Sequence, residues 1–476
     1  MVERVETGAE GLDEVTEGGF PKGSLILLAG EPGTGKTVFS AQFLAKGAEL
    51  GEPGVYVGFA ESKATFVENF SRHLGVDLGR LEAEGKLKVL DFVAMRGEGV
   101  SALLEAILSE VHALKARRLV IDSFTAMAQA FERPIDVRIV LNTVLSKIVR
   151  GMGCTTVVVN EVPAGRAEIG LGIEEFVADV VLRLRQRVLD GHLFRDLEIL
   201  KLRGVEVKEA KMAFTLKKGF KAFPPFKLKP VEKPRRFQPI PDPPGKYSMG
   251  VEDLNLALGG GLPKGSRILL EIGEKVSMSE YYLILLPIML NFGAQGRPVI
   301  IIPTIGVDAE LAKATALKYG AAEDEINRLL RVCEPLSPRR EKREPYIAVF
   351  EGKDLWKDYG AYLELEGRLV AETGQPALTV VGLDTVLAYY NEKDCMKLLG
   401  QDAIRIRGRS ALGILVLKPG YGHLVERLSG MFEAHLKVIK VNGALLFYGV
   451  KPRTRLYCVE TDVSKGYPMP KLTPIT

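Results

Sequence analysis

The sequence predicts an α/β protein of tandem domains, each a mostly parallel twisted sheet flanked by helices. Three observations carry that prediction. Short apolar runs alternate with longer amphipathic ones through the first half of the chain, the pattern of parallel strands joined by crossover helices. One glycine-rich octapeptide, Gly30-Glu31-Pro32-Gly33-Thr34-Gly35-Lys36-Thr37, sits between such a strand and such a helix. A segment recurs in mid-chain: GAEGLDEVTEGGFPKGS at 8–24 returns as GVEDLNLALGGGLPKGS at 250–266, every position displaced by 242 residues. Both copies lead into an apolar run, at 25–29 and 267–270. Self-similarity at so long a period points to duplication of a whole domain.

In chain order, the strand candidates of the first domain fall at 25–29, 55–59, 87–90, 119–121, 155–159, 180–184 and 197–202. Helical patterns lie between the early ones, at about 37–50, 63–75, 100–115 and 135–151. Ligands of such sheets bind at the carboxyl ends of the strands. The segment PPFKLKPVEKPRRFQPIPDPPGK at 224–246 is rich in proline and basic residues, which favours an extended linker. It divides the chain into domain 1 (1–225), a linker (226–246) and domain 2 (247–476). Lys227, Lys229, Lys233, Arg235 and Arg236 form either a solvated linker surface, the plainer reading, or a contact for nucleic acid.

The octapeptide fills every fixed position of G-x-x-x-x-G-K-[ST], the phosphate-binding P-loop. Strand, glycine loop and helix aim backbone N–H groups and a helix N-terminus at phosphate oxygens. Glycine lets the backbone curl close to an anion. Gly33, Thr34, Gly35, Lys36, Thr37 and Val38 are therefore the expected nucleotide contacts. Lys36 is expected to reach the β- and γ-phosphates and the Thr37 hydroxyl to ligate Mg²⁺, making ATP and Mg²⁺ the expected cofactors. Arg118-Leu119-Val120-Ile121-Asp122 is an apolar strand ending in an acid, the Walker B pattern. Asp122 is the second expected metal ligand, directly or through water. Glu61 ends the second strand candidate, where a carboxylate can orient and deprotonate an attacking water. The alternative is an acid beside a helix N-terminus capped by Ser62. Asn160 and Glu161 follow the strand at 155–159 and either sense the γ-phosphate or form an ordinary solvated strand end.

Domain 1 resembles the KaiC branch of the RecA-like ATPases. The match runs from Thr7-Gly8-x-x-Gly11-Leu12-Asp13 through the P-loop and Phe39-Ser40-x-Gln42-Phe43-Leu44. It resumes at Gly172-Ile173-Glu174-Glu175-Phe176-Val177-Ala178-Asp179 and closes with Leu197-Glu198-Ile199-Leu200-Lys201-Leu202-Arg203-Gly204. It covers domain 1 throughout and domain 2 more thinly. The resemblance implies a RecA-like core, ATP binding and a hexameric ring with nucleotide between subunits. It also implies that Lys201 and Arg203 reach a neighbouring subunit's ATP, where two cations neutralise charge that develops in phosphoryl transfer. The family often carries two adjacent glutamates where this chain has Ala60-Glu61. If the missing one is the main base, hydrolysis is expected to be slow.

The second copy departs from this pattern. It reads Leu270-Glu271-Ile272-Gly273-Glu274-Lys275-Val276-Ser277-Met278-Ser279-Glu280, with Gly273 alone left of the glycines. The lysine and threonine slots hold Met278 and Ser279, or Ser279 and Glu280 if the register shifts by one. Glu274 and Glu280 repel triphosphate, so no P-loop nucleotide site is expected in domain 2. Asp384 ends a Walker B-like run, and Lys451-Pro452-Arg453-Thr454 echoes the trans motif. Both read as remnants of duplication. Circadian members of the family phosphorylate adjacent Ser and Thr in their second domain. The corresponding stretch at 420–430 offers only Ser429, so that activity is not expected.

The leading expectation is an enzyme, an ATPase that converts ATP slowly to ADP and phosphate and acts as a ring-forming regulatory switch. Its partners would be copies of itself, as a homohexamer, and an unknown protein met through domain 2. A DNA-acting recombinase or repair ATPase is the first alternative, supported by Arg339-Arg340-Glu341-Lys342-Arg343 and Arg405-Ile406-Arg407-Gly408-Arg409. A non-hydrolysing scaffold cemented by ATP is the second. A net charge of +4 gives no bulk attraction to nucleic acid or membrane, which ranks the DNA reading below the switch. The opening Met1-Val2-Glu3-Arg4 shows no signal region, and the apolar stretch 281–292 contains Pro287 and Asn291 and is too short to span a bilayer. Cys154, Cys333, Cys395 and Cys458 form no close pair. A reduced, cytoplasmic setting without a membrane partner is therefore expected, and the abundance of Lys, Glu and Arg hints at a thermophile.

Overall fold

A computed structural model describes residues 3–92, 100–128, 151–163, 177–335 and 344–476. The helical pattern at 135–150, the family match at 172–176 and the basic patch at 339–343 lie outside the described residues. The chain divides into two compact units. Unit 1 comprises 1–225 with 442–444 and 474–476, and unit 2 comprises 226–441 with 445–473.

Unit 1 alternates as its sequence predicts: β1 (Leu25–Gly30), α1 (Lys36–Glu49), β2 (Gly54–Gly58), α2 (Lys63–Leu74), α3 (Leu78–Ala83), β3 (Leu87–Asp91), α4 (Val100–Ala113), β4 (Arg118–Asp122) and β5 (Thr155–Glu161). Four more strands follow, β6 (Val180–Leu189), β7 (His192–Leu202), β8 (Lys211–Thr215) and β9 (Lys221–Phe223). Among the described residues these build one nine-stranded sheet in the order β9-β8-β7-β6-β1-β5-β4-β2-β3. The part from β6 to β3 is parallel, and β7, β8 and β9 add antiparallel strands.

The sheet is covered on both faces, as parallel strands require. Ile26, Leu28, Tyr56 and Val120 pack under Phe39 and Phe43 of α1 and Phe66 of α2, while Leu27, Val55, Val57 and Ile121 meet Leu103, Ile107 and Val111 of α4. Each such side chain contributes about 1.5–3 kcal/mol when fully buried. Arg118 at the head of β4 is fully buried, which is tolerable because its guanidinium is ion-paired and hydrogen-bonded through Nε and Nη1. It pairs with Glu52 at 2.6 Å and donates to the Phe43 and Glu6 carbonyls at 2.7 and 2.9 Å.

Unit 2 repeats the plan with β10 (Arg267–Ile272), α5 (Met278–Ala294), β11 (Val299–Ile302), α6 (Ala309–Lys318), α7 (Glu323–Leu329), β12 (Leu330–Pro335), β13 (Ile347–Phe350), α8 (Leu355–Thr373) and β14 (Leu378–Gly382). Then come α9 (Leu383–Tyr389), α10 (Glu392–Gly408), β15 (Leu412–Leu417), α11 (Val425–Met431), β16 (Ala434–Val441), β17 (Ala444–Lys451), β18 (Tyr457–Asp462) and β19 (Met469–Pro474). The sheet order is β13-β12-β11-β14-β15-β10-β16-β17-β18-β19. Apart from the extra edge strand β13, this is the order of unit 1 element for element. The protein is thus a tandem of two RecA-like α/β sheets flanked by helices. Among the described residues no helix is long and apolar enough to cross a membrane.

Candidate nucleotide-binding site

All six residues of β1 are buried, so the chain leaves the sheet only at Gly30, on the carboxyl edge. It turns through 31–35 into α1. Gly33 and Gly35 take φ of +77° and +98°, a region that favours glycine, and a Cβ at Gly35 would stand 2.6 Å from Leu216 Cδ2. Lys36 is buried, and its Nζ donates to the Gly30 and Glu31 carbonyls at 2.9 Å each. Burial holds its ammonium below the usual lysine range, against the pull of Glu161, Asp122 and Glu31. The loop is therefore curled around a cation that a phosphate can recruit.

Asp122 ends β4 level with Gly58 of β2 and Val159 of β5. This register brings Glu61, just past β2, and Asn160 and Glu161, at the end of β5, to the same edge as the P-loop. The Thr37 side chain hydrogen-bonds the Asp122 carboxyl, and Tyr56 Oη donates to Asp122 Oδ2 at 3.2 Å. Burial pushes the Asp122 carboxyl above the usual carboxylate range, with the bonds from Thr37 and Tyr56 and the charge of Lys36 opposing it. Glu61 is half-buried, and burial and the Asp122 charge push its carboxyl up as well. Ser62 beside it caps α2 by accepting from Thr65 N at 3.3 Å. The Glu61 carboxyl is thereby a stronger base than an exposed one.

A hydroxyl and a carboxylate are hard oxygen donors of the kind Mg²⁺ takes, with water and substrate phosphate filling its remaining positions. Among the described residues no group of three or more His, Cys, Asp or Glu side chains could hold a metal by itself. The donor set therefore fits a cation that arrives with a nucleotide.

Unit 2 lacks these features at equivalent positions. Strands β1 and β10 keep the 242-residue displacement at both ends, and α1 and α5 begin at Lys36 and Met278, again 242 apart. Met278 and Ser279 thus hold the lysine and threonine slots, while Lys275 and Ser277 stand where unit 1 has Gly33 and Gly35. Asp384 is displaced from the position expected of it. Leu25 pairs Thr156 and Leu119 pairs Thr156; Arg267 pairs Gly413 and Thr379 pairs Gly413. This makes Thr379 the counterpart of Leu119 and Gly382 the counterpart of Asp122. Asp384 lies two residues further on, in the first turn of α9, where it pairs with Lys418 and accepts from Ile305 N, both at 3.1 Å. Lys451, at the end of β17, donates to the Phe432 carbonyl at 2.7 Å.

The family described as "ATPase: KaiC" matches residues 5–222. A UPF0273 protein of Pyrococcus furiosus is 33% identical over 245 residues, covering 48% of this chain and 97% of that protein. The chain belongs to the KaiC-like family of P-loop ATPases. The circadian clock oscillator protein KaiC of Synechococcus elongatus is 37% identical over 279 residues, covering 56% of this chain and 52% of KaiC, so the match spans about half of that relative's length. A solved KaiC-like protein of Pyrococcus horikoshii is 38% identical and covered in full, with 47% of this chain aligned at a TM-score of 0.43.

Two expected residues of this KaiC-like chain stand apart from the rest. Lys201 is level with Val181, and Val181 with Leu27, three residues before the P-loop begins. Arg203 lies further still from that edge and pairs with Asp179 at 2.9 Å. At about 3.3 Å per residue, Lys201 is set back about 10 Å from its own P-loop edge, at mid-strand, and Arg203 lies further toward the amino ends of β1 and β6. Sequence reasoning missed two others. Tyr56 is the buried partner of Asp122, and a tyrosine on a parallel strand gives no signal of its own. Arg195 of β7 donates from Nη1 to the Gly33 carbonyl at 3.0 Å, steadying the loop. Finding it requires the β6–β7 hairpin, which Asp190-Gly191 announces with positive φ at both residues.

Proposed function

We propose that unit 1 binds Mg-ATP and hydrolyses it slowly to ADP and phosphate, and that the chain acts as a ring-forming, regulatory ATPase. The observation that carries this reading is the convergence of Lys36, Thr37, Asp122 and a half-buried Glu61 on one sheet edge. Backbone N–H groups of Gly33 to Val38 receive the phosphates, and Lys36 exchanges the Gly30 and Glu31 carbonyls for phosphate oxygens. Thr37 and Asp122 hold Mg²⁺, with Tyr56 orienting the Asp122 carboxylate. Bound magnesium supplies charge neutralisation at the phosphates. Glu61 orients the attacking water and accepts its proton. The single glutamate at Ala60-Glu61 keeps the step slow.

Lys201 and Arg203 complete the site of a neighbouring copy, a reading supported by their being set back from their own P-loop edge. Arg203 then gives up its exposed pairing with Asp179. A site shared head to tail between copies closes into a ring when the rotation closes, and the family resemblance favours six. Unit 2 serves assembly or a protein partner. The DNA-acting alternative draws less support, because Arg405 and Arg409 pair with Glu366, Arg405 also with Asp402, and Arg407 with Glu433.

A mixing experiment tests the proposal. Lys36→Ala and Arg203→Ala are each expected to be inactive alone. Mixed and reassembled in equal amounts, they are expected to recover roughly a quarter of wild-type turnover, the share of sites with both halves intact. Full turnover in Arg203→Ala alone, or no recovery on mixing, contradicts the shared site.

A further inference from the structure

The repeat that lost its phosphate site gained a cavity. Helices α2 and α6 occupy the same place after the second parallel strand of their units, and each begins at a side-chain cap, Ser62 and Asp308. Four and eight residues past the cap, α2 carries Phe66 and Phe70, whereas α6 carries Ala312 and Ala316. In unit 1 the aromatic rings fill the layer between helix and sheet. Phe66 stacks on Tyr56 with ring centroids 3.8 Å apart and meets Phe70 at 4.9 Å. The counterpart of Tyr56 is also reduced: Val55 pairs Leu119 and Ile300 pairs Thr379, which makes Ile301 its equivalent.

Three aromatic side chains are thus replaced by two alanines and an isoleucine. In their place unit 2 has a pocket of about 310 Å³, lined among others by Leu283, Met289, Ile301, Ala312 and Ala316. That volume lies within the range of small-molecule pockets. Tyr282 and Tyr319 also line it, and no described residue hydrogen-bonds either hydroxyl. Tyr282 is half-buried and Tyr319 buried, but both hydroxyls reach solvent, so each is open to an acceptor on a ligand. The other large cavity of unit 2, about 500 Å³, differs in this respect. Its tyrosines Tyr359, Tyr362 and Tyr390 already bond Asp402, Thr379 and Asp358.

We propose that the pocket between α5, α6 and β11 of unit 2 is a binding site for a compact apolar molecule carrying a hydrogen-bond acceptor, with Tyr282 and Tyr319 as donors. The inference is independent of the nucleotide reading of unit 1. Decanoate, a straight apolar chain with one carboxylate, is a suitable probe, titrated calorimetrically into the full-length protein. Wild type is expected to bind it saturably at one site per chain. Ala312→Phe/Ala316→Phe, which restores the residues of α2, is expected to lose that binding at least tenfold, while a cooperative circular-dichroism melt reports that it is folded. Tyr282→Phe/Tyr319→Phe leaves the pocket open and is expected to weaken decanoate about tenfold, the loss of hydrogen bonds to a charged group. No saturable binding to wild type, or equal binding by the alanine-to-phenylalanine variant, overturns the site. Unchanged binding by the tyrosine variant overturns the donor assignment.

Discussion

Units 1 and 2 share a sheet order and a strand-to-helix junction but differ in what the junction can hold. In unit 1 the first helix begins at a loop whose glycines take positive φ, and no side chain caps it. In unit 2 the amide equivalent to that of Gly35 is taken by a side chain. Ser277 N donates to Glu280 Oε2 at 2.7 Å, closing a capping box, and Lys440 Nζ holds the other oxygen at 2.7 Å. Burial raises the Glu280 carboxyl, but those bonds outweigh it and keep it below the usual range. An internal carboxylate thus sits where an anionic ligand would go. Unit 2 therefore differs by more than a missing lysine: its helix N-terminus carries an acid of its own.

The largest effects should separate the two junctions outright. Lys36→Ala is expected to lower ATP turnover at least about a hundredfold, and Met278→Ala to leave it within twofold; a comparable loss in Met278→Ala would give unit 2 a catalytic role. Glu61→Gln should reduce kcat by about 10²–10⁴-fold with ATP affinity nearly unchanged, measured by steady-state turnover beside equilibrium binding.

Smaller effects sharpen the contrast between Asp122 and Asp384. Folding raises the Asp122 carboxyl's hold on its proton, so above the ordinary carboxylate range the folded state binds more protons than the unfolded chain. Its contribution to stability then falls as pH rises through the raised value. Asp122→Asn is expected to stabilise the ligand-free protein at neutral pH, a gain that fades on acidification, while abolishing turnover. Asp384→Asn makes the same chemical change but removes the charge paired with Lys418, leaving that ammonium only the Ile305 carbonyl, and should destabilise by about 1–3 kcal/mol. Denaturant unfolding of both variants at two pH values reads the two signs. Glu280→Ala, which breaks the capping box, should cost about 1 kcal/mol with no change in turnover.

The parallel half of unit 1 was legible because buried strands read as unbroken apolar runs: all of β1, and β4 between Arg118 and Asp122. The antiparallel half was less so. Strands β8 and β9 and the outer part of β6, with Arg183, Arg185 and Arg187, mix polar and apolar residues and look like loop. The P-loop was readable because its chemistry demands fixed residue types at fixed spacing. Tyr56 and Arg195 were not, because each acts through a neighbour that only the sheet register supplies. Asp384 misled for the same reason: an acid after an apolar run looks like Asp122 until the register moves it two residues along, into a helix. The cavity beside Ala312 and Ala316 is invisible in a single sequence and becomes visible only when the two helices are laid on a common cap.

The central claim is that one chain carries one nucleotide site, in unit 1. Titration of a fluorescent ATP analogue with Mg²⁺ into the full-length protein tests it most directly. The expected result is one site per chain, lost in Lys36→Ala and retained in Met278→Ala. Two sites per chain, or a site that survives Lys36→Ala, would contradict it.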